Sequence, residues 1–304
     1  MRFPAIPRTR REAVRSASLL LALTVASGLG APSPALSQTA DPAPAPVVGP
    51  GSGTVLVAGG GALTAEIWSR FVELAGGPEA RIIVIPTAGT EDDYPQDWDG
   101  LGGLRDVGAG DVTILHTRDP ETADTDAFAA PIREATGVWI PGGRQWRLVD
   151  AYLGTLVHDE LFDVLERGGV VGGTSAGASI LASFLVRGDP ATNRIVLSDE
   201  YREGFGLLRG AAVDQHLFAR DRQDDLWRVL AVDPSLLGIG IDEGTALVVQ
   251  GDQGEVIGEG LVLFYDASGP LRITRQLSRG HRYDLGRRIR LAPAASATTE
   301  TAPR

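Results

Sequence analysis

The chain has 304 residues, 43% of them hydrophobic, and a formal charge of −11 from 39 acidic and 28 basic side chains. It holds no cysteine, and all 28 basic residues are arginine. This removes thiolate nucleophiles, cysteine–metal sites, disulfides, lysine Schiff bases and a Walker-type lysine, and leaves covalent chemistry to an oxygen nucleophile.

Residues 1–37 read as an export signal peptide. Arg2, Arg8, Arg10, Arg11 and Arg15 precede the apolar run "ASLLLALTVASGLGA", and Ala35-x-Ser37 offers a small-residue cleavage site. The run is short for a membrane span and contains Ser27, Gly28 and Gly30. Paired arginines in "TRREAV" leave both the general secretory and the twin-arginine routes open, and the destination is periplasmic or extracellular. Cleavage would remove five arginines and Glu12, taking the charge from −11 to about −15. So acidic a chain is a poor general binder of nucleic acid or anionic membrane, and no stable membrane association is expected after cleavage.

Residues 38–53, "QTADPAPAPVVGPGSG", have the composition of a linker, and the tail 292–304 is expected to be disordered. Between them a single domain spans 54–291. "TVLVAG" (54–59), "RIIVIPT" (81–87), "VTILHT" (112–117), "GVWIPG" (137–142) and "GGVVGG" (168–173) read as buried strands. Helix-period segments lie between them, among them 62–76 and 145–168. This alternation predicts an α/β fold, a mostly parallel sheet with helices on both faces. After Ile239 the runs "TALVVQGD", "EVIGEGLVLFYD" and "PLRITRQL" predict an antiparallel C-terminal extension.

Ligands of such sheets sit beyond the carboxyl ends of the strands, where three glycine-bearing turns fall. "VAGGGAL" invites a dinucleotide reading but lacks the full G-x-G-x-x-G spacing. "PGGRQW" (141–146) is the second. The third, Gly173-Thr174-Ser175-Ala176-Gly177, is a G-x-S-x-G between a strand and a helix, the context of a nucleophile elbow that exposes the hydroxyl of Ser175. A serine needs a base, and the residues alone do not choose among His116, His158, His216 and His281.

"IPGGRQWRLVDAYLGT", "GGTSAGASI", "VDQHLFARDR" and "GIGIDEGTALVV", in that order, resemble the cyanophycinase-like serine exopeptidases, a family that includes the aspartyl dipeptidase E group. The resemblance extends from Thr54 to about Asp284. It implies the fold of the class I glutamine amidotransferases, Ser175 as nucleophile, His216 as general base and Glu243 as the acid orienting it. Gly143 and Ala176 would supply the oxyanion amides, and Gln145, Asp214 and Gln215 would line the substrate pocket. Arg220 and Arg222 match arginines that suit substrate carboxylates. The implied reaction uses no metal or organic cofactor, its substrate is a peptide or cyanophycin, a polymer of β-linked Asp-Arg units, and a homodimer is expected. Isoaspartyl or Asp-X dipeptides are the second substrate class, and a non-catalytic secreted binding protein is the competing reading.

Two positions depart from the pattern. The third arginine after the histidine is Asp225, and the residue after the loop glycines, usually aspartate in cyanophycinases, is Arg144. The second could compensate the first, with Arg144 standing in for the lost arginine.

Overall fold

The structure, a computed structural model, describes residues 47–292. The expected signal peptide, linker residues 38–46 and almost all of the expected tail lie outside the described residues. Among the described residues no helix is long and apolar enough to cross a membrane.

In chain order the elements begin with β1 (Thr54–Ala58), α1 (Ala65–Leu74), β2 (Arg81–Val84), α2 (Gly102–Asp106), β3 (Asp111–Ile114), α3 (Pro120–Ala123), α4 (Asp126–Glu134) and β4 (Gly137–Ile140). They continue through α5 (Gln145–Tyr152), α6 (Leu156–Glu166), β5 (Val170–Thr174), α7 (Ala176–Ser179), β6 (Ala182–Phe184), β7 (Leu208–Gln215) and α8 (Asp225–Val232). The chain then runs through β8 (Leu237–Ile241), β9 (Thr245–Gln250), β10 (Gln253–Gly258), β11 (Leu261–Asp266), β12 (Ile273–Ser278), β13 (Arg282–Asp284) and β14 (Ile289–Arg290).

All five apolar runs form strands. The expected helical segment 145–168 is two helices, α5 and α6. Leu153 is extended and Gly154 has φ +76°, a conformation suited to glycine that breaks the helix.

The first sheet has nine strands in the order β14-β13-β10-β9-β1-β5-β4-β2-β3. Strands β1, β5, β4, β2 and β3 pair in parallel. β9 lies antiparallel beside β1, and β10, β13 and β14 continue antiparallel from it. The sheet is therefore mixed in equal parts rather than mostly parallel. A second sheet, unforeseen from the sequence, has the order β12-β11-β8-β7-β6, with β6, β7 and β8 parallel and the rest antiparallel. The predicted C-terminal strands divide between the two: β9 and β10 extend the first sheet, β11 and β12 the second.

Strand alternation partitions the core. Leu56, Ala58, Ile82, Val84 and Trp139 face Ile67 and Phe71 of α1 and Leu104 of α2. Val55, Val57, Ile83, Val138 and Val171 face α4, α6 and the inner side of the second sheet, including Ala211, Val213 and Ile239. Helix α8 covers the outer side of that sheet through Leu226, Val229 and Leu230. The helix α1 starts at Thr64, whose hydroxyl accepts from Ile67 N, and Phe71 then packs edge-on against Trp139 with ring centroids 4.9 Å apart. Burying each such ring contributes roughly 1.5–3 kcal/mol.

Linker residues 47–53 are also built into the domain. Val48 is buried, and the amides of Val47, Val48 and Gly49 donate to the carboxylate of Asp252 at 2.8, 2.8 and 3.0 Å. Burial opposes the charge of Asp252, but the three N–H groups outweigh it and hold the carboxyl below its usual range.

Candidate active site

Ser175 fills a one-residue turn between β5 and α7, with φ 55° and ψ −115°. Such a conformation costs a non-glycine residue about 1–3 kcal/mol and persists only where its surroundings over-determine it. Here Ser175 N donates to Ala58 O at 3.0 Å, and Ser175 O accepts from the amides of Ala178 and Ser179. The flanking glycines are required sterically. A Cβ on Gly177 would lie 1.9 Å from Ile140 O, and one on Gly173 would lie 2.3 Å from Gly177 O.

Ser175 Oγ lies 2.8 Å from His216 Nε2, and His216 Nδ1 lies 2.5 Å from Glu243 Oε1. His216 follows β7 directly, and Glu243 follows β8 by two residues, so base and acid come from the carboxyl ends of adjacent parallel strands in the second sheet. The serine comes from the first sheet. With Nδ1–H donated to the carboxylate, Nε2 is free to accept the serine proton. Burial pushes the His216 pKa below its usual value, outweighing the hydrogen bond to Glu243, and Arg220 acts in the same direction as burial. The imidazole is therefore neutral at neutral pH, as a proton acceptor must be.

The "VAGGGAL" turn ties the two sheets together at this point. Ala58 O, Gly59 O and Gly60 O accept in succession from Ser175 N, His216 N (2.8 Å) and Gly244 N (3.1 Å), so consecutive carbonyls hold the backbone at or beside all three side chains. Gly60 has φ +104°, and a Cβ there would lie 2.3 Å from His216 Cε1. A Cβ on Gly61 would lie 2.6 Å from Glu243 Oε2. Gly60 and Gly61 make room for the imidazole and carboxylate, and a Cβ on Gly59 would strike the Asp242 backbone at 2.1 Å, so each of the three answers to crowding at this site. The signal was visible in the sequence, but nothing local said what would sit against it.

The Pro141–Arg144 turn lies beside the serine: a Cβ on Gly142 would be 3.1 Å from Ser175 Cβ. Gly143 has φ +148° and packs where a Cβ would strike Ala88 O, which also accepts from Arg144 N at 2.8 Å. Gly143 follows Gly142 in this turn, and Ala176 N follows the serine directly.

The expected pocket residues fare differently. Asp214 is fully buried, and its carboxylate forms a two-point pair with Arg187, Nε–Oδ1 2.8 Å and Nη2–Oδ2 2.9 Å. Gln145 is 1% exposed, with its amide nitrogen donated to Val186 O at 2.7 Å. Gln215 is buried as well, and its Oε1 accepts from Arg222 Nη1 at 2.7 Å. These three residues support the site from within. Arg220 and Arg222 do line a cavity of about 340 Å³, together with Arg187, Asn193, Arg194 and Asp225. Arg222 is the buried one of the pair, and desolvation pushes its pKa down to about 10, which leaves it charged at neutral pH. Arg144 is absent from that cavity. Its Nη2 donates to Asp189 O and Pro190 O, so it does not stand in for the missing arginine. No sequence signal pointed to Arg187.

The other histidines are accounted for structurally. His116 Nδ1 bonds Thr87 Oγ1 at 2.8 Å, His158 bridges Gly154 N and Phe205 O, and His281 accepts from Ser278 N.

A family model described as Peptidase family S51 matches residues 55–257. A cyanophycinase of Geminocystis herdmanii is 33% identical over 206 residues, covering 66% of this chain and 75% of the relative. A cyanophycinase of Synechococcus elongatus is 33% identical over 211 residues, and the chain spans 63% of that relative's length. Among solved structures, a peptidase from an acI-B1 Actinobacterium superposes with a TM-score of 0.60 at 24% identity, over 77% of this chain and 97% of that one. This last likeness bears on the fold alone.

Proposed function

Because the chain belongs to peptidase family S51 and is a serine-type peptidase, we propose that it is an exported exopeptidase cleaving amide bonds next to aspartyl units through Ser175, His216 and Glu243. The observation that carries this reading is the unbroken hydrogen-bond chain from Ser175 Oγ through His216 to Glu243.

In the proposed reaction Ser175 Oγ attacks the substrate carbonyl as His216 Nε2 takes its proton. Glu243 holds Nδ1–H, keeps the productive tautomer and stabilises the imidazolium. The oxyanion is received by the amides of Gly143 and Ala176; loss of one such donor typically costs about 2.7–4 kcal/mol of transition-state stabilisation. His216 then protonates the leaving amine, and water activated by the same nitrogen releases the acyl group and restores the serine. Every proton passes through one imidazole, and no metal or organic cofactor enters.

Acidic substrates are supported by the arginine-lined cavity, whose Arg220 and Arg222 are near enough for their charge to act on His216. Cyanophycin is the first substrate candidate, given the cyanophycinase relatives, and isoaspartyl or Asp-X dipeptides are the second. The pattern of residues 1–37 supports export to the periplasm or beyond. The test is incubation of the protein lacking residues 1–37, and of its Ser175→Ala variant, with cyanophycin, β-Asp-Arg, isoaspartyl and Asp-X peptides. Serine-dependent release of β-Asp-Arg from the polymer assigns a cyanophycinase, and cleavage of short peptides alone assigns a dipeptidase. Equal turnover by both proteins overturns the assignment of Ser175.

A further inference from the structure

The two positions that depart from the family pattern, Arg144 and Asp225, converge on one loop between β6 and β7. From one side Arg144 Nη2 donates to Asp189 O at 2.6 Å and to Pro190 O at 3.2 Å. From the other, Asp225 Oδ2 accepts from Arg187 Nη2 at 2.6 Å, and Arg187 Nη1 donates to Asn193 O at 3.0 Å. Within the loop, Asp189 Oδ1 accepts from Ala191 N and Thr192 N. The loop is thus gripped at 189–190 by the turn that carries Gly143, and at 193 by a buried arginine anchored to the strand that leads into His216.

That grip has an electrostatic result. In the cavity of about 340 Å³, Arg187 is matched by two carboxylates, Asp214 and Asp225, and Arg222 donates to Gln215. Arg194 and Arg220, both exposed, have no side-chain hydrogen bond or ion pair among the described residues. Two guanidinium groups therefore stand open in a cavity beside the base of a chain whose formal charge is −11. Arg220 belongs to the motif after His216, whereas Arg194 comes from the gripped loop, one residue after Asn193.

We propose that residues 188–194 form a specificity-determining wall of the active site, with Arg194, which lines the same cavity as Arg220, binding a carboxylate of the substrate. Asp225 does not abolish the anion subsite. It redirects it, by holding Arg187 and so the loop that delivers a replacement guanidinium. Arg144 and Arg187 are positioning residues for that loop. A planar guanidinium that forms no other ion pair suits a carboxylate in two-point contact. This inference rests on the proposed peptidase site, but its test does not depend on turnover.

The experiment is calorimetric titration of Ser175→Ala protein with the isoaspartyl dipeptide β-Asp-Ala and with its derivative in which both carboxylates are carboxamides. Arg194→Gln in that background is expected to weaken β-Asp-Ala binding about tenfold, the loss of one charge-assisted contact, and to leave the uncharged derivative unaffected. Arg194→Lys should recover part of the loss. Unchanged affinity in Arg194→Gln, equal weakening toward both ligands, or absence of binding to β-Asp-Ala in the parent overturns the proposal. Carboxylate-dependent binding by a protein that hydrolyses nothing would overturn the peptidase mechanism and keep the subsite. Asp225→Asn should speed hydrogen exchange at 189–194 and lower affinity in the same ligand-selective way; unchanged exchange and affinity would overturn the gripping role.

Discussion

Gly60→Ala tests the account of the site most sharply, because it adds one methyl group and removes none of the groups assigned to proton transfer. At φ +104° the new residue is strained by about 1–2 kcal/mol. Its Cβ would also sit 2.3 Å from His216 Cε1 and 2.5 Å from Nε2, where ordinary contact begins at 3.4 Å. The ring must retreat by about 1 Å, which breaks the 2.8 Å contact with Ser175, and a displacement of that size costs about 100-fold in rate. The assays are kcat/KM on a cleaved aspartyl peptide and the rate at which a fluorophosphonate labels Ser175, beside a thermal melt. Gly154→Ala is the control: φ is +76°, so the backbone strain is comparable, but nothing lies within 4 Å of its Cβ. Both variants should melt a few degrees lower, at about 2–4 °C per kcal/mol for a chain of this size. Only Gly60→Ala should lose activity. If Gly60→Ala labels and turns over within threefold of wild type, the packing role assigned to the triple glycine is wrong.

Further consequences can be measured on the same protein. Ser175→Ala and His216→Ala should each lower kcat by several orders of magnitude with melting temperature nearly retained, and Glu243→Gln should lower it less, since an amide can still accept from Nδ1–H; comparable activity in all four proteins would refute the shared proton path. Because burial holds the His216 pKa below 6.5 and the neutral imidazole is the active form, kcat/KM should stay level as pH falls past 6.5 and decline only in more acid solution; an acid limb centred at or above 6.5 would contradict this. The same shift means that folding stability drops as pH falls from about 6.5 through the lowered folded-state value, since the unfolded chain takes up the proton more readily. Asp252→Ala should expose residues 47–49 to proteolysis and lower stability by about 1–3 kcal/mol, by stranding three amide donors; an unchanged digestion pattern would show that the segment is held by other contacts.

The parts legible in the sequence are those in which local pattern and global position agree. The runs at 54–58, 81–84, 137–140 and 170–174 are largely apolar and β-branched because they are interior strands of the sheet covered on both faces, and the run at 111–114, on the sheet's edge and only partly buried, keeps the pattern in Val112 and Ile114. The elbow was legible because its residues are contiguous, a serine between small residues at the junction of a strand and a helix, even though part of the crowding its glycines answer to comes from Ile140. The second sheet was not. Its strand β7 reads "LRGAAVDQ", with small and charged residues that carry no strand period, and its identity is set by packing against β8 and the first sheet. The ion pair that buries Asp214 was not legible, because its partner, Arg187, is 27 residues away in an irregular loop and carries no motif. The meaning of Arg144 and Asp225 was hidden for the same reason: each looked like an exchange of charge in the substrate site, whereas each holds the same loop.

The strand order has a consequence for how the molecule comes into being. β1 is made first, yet one of its two neighbours, β9, lies almost 190 residues downstream, so for most of synthesis a strand that ends up fully buried has an open edge. Such an edge is a site for wrong pairing, and closing it over so long a separation is slow. The nucleophile's turn can form while Glu243 has yet to leave the ribosome, but Gly244 and β9 arrive together just after it, so the last carboxylate and the strand that seals β1 come within a few residues of each other. A nascent chain ending before Glu243 lacks both the carboxylate beside His216 and the strand that covers β1, and one ending after β10 has both. The carboxylate that holds His216 and the strand that covers the open edge of β1 therefore become available together, so the hydrogen-bonded trio is not assembled on a chain whose central strand still lacks a neighbour.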